Sequence, residues 1–130
     1  MRRIDPHDAA RAMRDHHVEV SHSCWLARTP EGGLMGCPVG ALYYAQNAEV
    51  LSNQSDIIDW AFTATGSRSY VGGFDVGFHG FTPLEDPPPE HLLGLEDGQR
   101  TRELVDAPRR DERPLFTPAD RPEQGRSLGS

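Results

Sequence analysis

The chain has 130 residues, 36% of them hydrophobic, with 13 Gly and 11 Pro, which fits one small domain with part of the chain outside its core. No apolar run approaches the roughly 20 residues that a membrane-spanning helix needs, so no membrane role is expected. The net charge of −7 divides as +1 over residues 1–28, −9 over 29–99 and +1 over 100–130, which disfavours direct nucleic-acid binding by the middle of the chain and suits an acidic body that meets a protein partner.

Asp5 as N-cap and Pro6 at the first helical position start a helix that runs to about His16, with Ala9, Ala10 and Met13 on its apolar side. Val18 to Ala27 mixes alternation with an apolar run and reads as a strand or extended segment. Thr29 to Gly33 is a turn, and 33–36 supplies the short second arm of a hairpin with 18–28. A second helix follows from Gly36 to Ala45, with Cys37 near its N-cap, Pro38 at N1 and Val39, Leu42 and Tyr43 facing inward. Asn53 caps a third helix to Thr65, lined by Ile57, Trp60, Ala61 and Ala64 and stopped by Gly66.

Ser67 caps a fourth helix that carries the segment Tyr70–Phe81. Phe74, Phe78 and Phe81 share one i, i+4, i+7 stripe, and Gly73, Gly77 and Gly80 form a second stripe one residue away. Each interior Gly costs about 0.8–1 kcal/mol relative to Ala. The helix therefore requires another backbone against its bare face: the helix at 38–46, the helix at 53–65, or a partner's. A strand is the rival, because Phe74, Val76 and Phe78 also alternate. Pro83 and Pro87–Pro89 mark an extended connection, after which Glu90–Leu95 and Gln99–Val105 read as two short helical pieces. The predicted fold is mainly α: a compact helical domain over 4–105, a short extended or β-hairpin element near 18–36, and a Pro/Arg-rich extended tail over 106–130 that only a partner orders. Its core is Trp25, Leu26, Leu42, Tyr43, Ile57, Trp60, Phe62, Phe74 and Phe78.

Little in the chain points to chemistry. His22, Cys24 and Cys37 offer an imidazole and two thiols for zinc, with His79 and His91 further on, but there is no C-x-x-C pair and no finger spacing. Cys37 at a helix N-terminus feels the dipole that lowers a thiol pKa, and needs His22 or His79 within reach to act as a nucleophile. Helix 53–65 followed by Ser67–Val71 mimics a helix-turn-helix, yet its second helix offers one cation, glycines and Asp75. Gly72–Gly77 lacks the order and setting of a phosphate loop. Asp56 with Asp59, and Glu85 with Asp86, read as solvated acid pairs.

Three functions follow as expectations. The first is a non-enzymatic interaction module, an accessory or structural subunit of a larger assembly such as that of a virus or mobile element. It would dock through the acidic body and through the tail, with Leu115 and Phe116 as apolar anchors and Arg109, Arg110 and Arg113 as ionic ones. The second is an acidic decoy for a basic nucleic-acid-binding partner, and the third a small zinc- or thiol-dependent protein. No catalytic residue and no cofactor is assigned. With two cysteines and no apolar region after Arg2-Arg3, the expected setting is the cytoplasm or the interior of an assembly, with reduced thiols.

Overall fold

Asp5 begins the first helix as its side chain accepts the His7 N–H at 2.9 Å, which satisfies one of the donors that every helix leaves open at its start. In the computed structural model, which describes residues 1–50 and 53–107, the elements are α1 (Pro6–Asp15), β1 (Val18–Val20), β2 (Leu26–Arg28), β3 (Leu34–Gly36), α2 (Pro38–Asn47), α3 (Gln54–Thr65), α4 (Arg68–His79) and α5 (Pro89–Asp106). The fold is mainly helical with a small three-stranded sheet. Among the described residues, no helix is long and apolar enough to cross a membrane. The expected tail anchors Leu115, Phe116, Arg109, Arg110 and Arg113 lie outside the described residues.

The sheet differs from a single hairpin over 18–36. Its order is β1-β3-β2, with β3 central, parallel to β1 and antiparallel to β2. The hairpin is β2–β3 alone, closed where Thr29 N–H donates to Gly33 O and Gly32 N–H to Thr29 O. Val18 and Val20 belong to a separate strand, because residues 21–25 leave the sheet as a loop before β2. That loop carries His22 and Cys24.

Asn53, Ser67, Gly66 and Gly80 punctuate the helices. Asn53 and Ser67 cap α3 and α4 through their side chains, and Gly66 and Gly80 end them in left-handed backbone. The segment Tyr70–His79 is helix throughout. Its buried side is Tyr70, Val71, Phe74 and Phe78, and each such aromatic contributes about 1.5–3 kcal/mol by leaving water. Trp25, Leu42, Trp60 and Phe62, expected in the core, are only partly buried and pack on its outside. Tyr70, Val39 and Val71 fill the centre instead.

The helix against the glycine stripe is neither α2 nor α3 but α5. A Cβ on Gly73 would stand 2.0 Å from His91 O, and one on Gly77 2.2 Å from Leu95 O. The contact is reciprocal: a Cβ on Gly94 meets Tyr70 O at 2.0 Å, and one on Gly98 meets Phe74 O at 2.1 Å. Two G-x-x-x-G segments, 73–77 and 94–98, thus lie face to face. Gly80 is not part of this contact; it is the C-cap at φ +73, with nothing near its missing Cβ. The two expected short pieces after Pro89 are one 18-residue helix, in which Gly94 and Gly98 are the residues that admit α4.

The N-terminus is tied across this pair. Ile4 N–H donates to Tyr70 Oη at 2.7 Å, Tyr70 Oη–H donates to Asp97, and Arg3 clasps the same carboxylate through two nitrogens at 2.8 and 2.9 Å. Arg2 N–H donates to Thr65 O at 2.7 Å. A buried carboxylate held by a fork of Arg donors and a phenol is satisfied rather than reactive.

Candidate functional site

The second helix begins where the 21–25 loop presses on it. Cys37 is its N-cap, with extended backbone (φ −126, ψ 174), and Pro38 follows at N1. Cys37 N–H donates to Trp25 O at 3.1 Å. This approach requires glycine on both sides, because a Cβ on Gly36 would stand 2.2 Å, and one on Gly40 1.8 Å, from the same Trp25 oxygen. Gln54, the first residue of α3, fixes the loop from its other side. Its Oε1 accepts Trp25 N–H at 2.7 Å and Leu26 N–H at 3.1 Å, while its Nε2 donates to Leu26 O at 2.8 Å. The result brings the loop, the first turn of α2 and the last turn of α4 to one place.

Three potential metal ligands meet there. One ligand atom each from Cys37, Asp75 and His79 lies within 4.8 Å of the other two. Asp75 and His79 are four residues apart on α4 and so share a face. Cys37 arrives from α2. Imidazole nitrogen Nε2 of His79 lies 3.3 Å from Asp75 Oδ1, and Nδ1 is buried without a hydrogen-bond partner among the described residues. The His79 ring is enclosed by aromatic groups, with centroids of His22 at 4.4 Å and of Phe78 and Phe81 at 5.1 Å.

Burial drives all three groups toward their neutral forms. It pushes the Cys37 thiol up to about 12, a rise that the amides of Gly40 and Val39 only partly oppose. It raises the Asp75 carboxyl, against the nearby His22. It lowers the His79 imidazole to about 4, helped by the positive charges of His22 and Arg102. The helix dipole at Cys37 is therefore outweighed by loss of water. A thiol that is 1% exposed and protonated at neutral pH is no nucleophile for an outside substrate. A divalent cation reverses this logic, since it stabilises the anionic ligands that burial disfavours.

Of the zinc ligands expected from sequence, Cys37 belongs to this cluster, while His22 and Cys24 stand at its edge. They line a cleft of about 200 Å³ together with Ser23, Trp25, Gln54, Asp75 and His79. His22 is exposed, and Cys24 Sγ is directed to Ser21 Oγ at 3.6 Å and Met35 O at 3.9 Å. Both cysteines are free thiols. Asp75 is the ligand that sequence reasoning passed over. Its signal was the i, i+4 spacing to His79 within a helix, the same spacing that defined the glycine and phenylalanine stripes.

Comparison of the chain with family models, with curated proteins and with solved structures gives no match.

Proposed function

We propose that this protein is a small zinc protein whose metal is held by Cys37, Asp75 and His79. The observation that carries this reading is the convergence of a buried thiol with a half-buried carboxyl and an imidazole within 4.8 Å. Thiolate and imidazole are the donors zinc prefers, and it accepts carboxylate beside them. The charges of a Cys37 thiolate and an Asp75 carboxylate offset those of the dication, so the site is neutral when loaded. Ligands of a tetrahedral zinc, each about 2.0–2.3 Å from the metal, stand about 3.3–3.6 Å apart. Closing the cluster on the ion takes a shift of roughly 1 Å, within the reach of side-chain torsions.

His79 supports the reading independently. An imidazole whose side chain is 3% exposed, with Nδ1 unpartnered, lacks the hydrogen bonds that buried polar groups normally keep. Ligation through Nδ1 would give that nitrogen a partner. The interaction-module reading draws its anchors from residues outside the described part of the chain, and no described contact favours it over the metal.

The test is elemental analysis of the full chain purified from zinc-replete medium without chelators. One zinc per chain is expected, falling to background in Cys37→Ala. Metal-free wild type that takes up no stoichiometric zinc on addition overturns the reading.

A further inference from the structure

We infer that the metal keeps one open coordination position on the floor of the 21–25 cleft, and that this position takes a small anionic oxygen- or nitrogen-donor ligand. The inference rests on the metal reading and deepens it. Asp75 and His79 both line the cleft, whereas Cys37 does not and is 1% exposed. A metal held by the three therefore has protein behind it, on the thiolate side, and the cleft in front. Three protein donors leave one place in a tetrahedral shell, the arrangement of zinc sites that bind water or substrate rather than of closed structural ones.

The remaining candidates for a fourth protein ligand stand aside. Neither Cys24 nor His22 joins the set of groups within 4.8 Å. Cys24 has its own partners in Ser21 and Met35. His22 lies against the His79 ring and Phe81, out at the exposed rim. Gln54 faces the cleft, but both ends of its amide are taken by Trp25 and Leu26. The cleft volume is about 200 Å³. It is below the roughly 300–1,000 Å³ of pockets for drug-sized ligands, so the occupant is small.

The experiment uses full-length protein with cobalt(II) in place of zinc. The thiolate-to-cobalt charge-transfer band reports Cys37 as a ligand, and the visible d–d bands report the coordination shell. Titration with azide, and separately with acetohydroxamate, is expected to change the d–d bands saturably while the charge-transfer band persists. His22→Ala and Cys24→Ser should both leave the cobalt stoichiometry and the wild-type spectrum unchanged. A charge-transfer band with d–d bands that neither anion moves overturns the open position and leaves the metal reading standing. Loss of cobalt, or of the wild-type spectrum, in Cys24→Ser or His22→Ala identifies that residue as the fourth ligand and also overturns it. If wild type shows no charge-transfer band at all, the metal reading itself fails, and this inference with it.

Discussion

A methyl group on Gly77 puts the packing account to a quantitative test. In Gly77→Ala the new Cβ meets Leu95 O at 2.2 Å and both Leu95 C and Gln99 N at 3.0 Å. Ordinary van der Waals contact begins at 3.4 Å, so the carbonyl has to retreat by about 1.2 Å. All three atoms are backbone of α5, so no rotamer change relieves the overlap; the two helices must separate. Overpacking of this kind costs about 1–3 kcal/mol, occasionally more. The better helix propensity of Ala returns about 0.8–1 kcal/mol. A net loss of about 1 kcal/mol, and up to about 2, is expected, with a similar or larger loss for Gly73→Ala, whose Cβ stands 2.0 Å from His91 O. Gly72→Ala is the internal control. It lies one residue away on the same helix with nothing within 4 Å of the added carbon, and should stabilise the protein by up to about 1 kcal/mol. Urea unfolding of the three variants measures the difference directly. Gly77→Ala as stable as wild type, or Gly72→Ala as damaging as Gly77→Ala, would refute the reasoning.

Other positions give independent checks. Tyr70→Phe leaves the Ile4 N–H and one side of the buried Asp97 carboxylate without a partner, so it should lose about 1–3 kcal/mol in the same assay; an unchanged midpoint contradicts the network described for the N-terminus. Ala48, the C-cap of α2, adopts a left-handed conformation with φ 54 and ψ 36, which costs a residue with a Cβ about 1 kcal/mol; Ala48→Gly should recover that amount, and destabilisation by the change contradicts the assignment. In metal-free protein the Cys37 thiol ionises near 9.0 when unfolded and at about 12 when folded. The unfolded chain therefore gives up this proton first, and the stability that the buried thiol contributes is complete below pH 9.0 and lost as pH rises toward 12. Cys37→Ser should flatten that part of the stability profile, and equal slopes in the two proteins would contradict it.

The helix starts and stops were readable from sequence because each rests on local chemistry. Asp5, Asn53 and Ser67 accept from amides two or three residues on, and Gly66 and Gly80 take the left-handed conformation that ends a helix. The glycine stripe announced that a backbone must lie against α4, but not which one. The answer is in Gly94 and Gly98, which carry the same four-residue spacing but no aromatic stripe beside it to mark a packing face. The β1–β3 pairing was hidden for a related reason. Three-residue strands carry too little alternation to declare a partner, and β3 enters between β1 and β2 although β2 follows β1 in the chain. At the site, Cys37 could be placed at the α2 N-cap from Pro38. Its distance to His79 depends on how α4 crosses the loop, which in turn depends on Gly36 and Gly40 admitting the Trp25 carbonyl. No spacing rule encodes that contact.

X-ray absorption at the zinc edge of the loaded full-length protein tests the central claim most directly, because it counts sulfur ligands. The account predicts one sulfur at about 2.3 Å, from Cys37, with the remaining donors nitrogen or oxygen at about 2.0–2.2 Å. The sulfur shell should vanish in Cys37→Ala and persist in Cys24→Ser. Two sulfurs in the wild-type shell, or none, would contradict it.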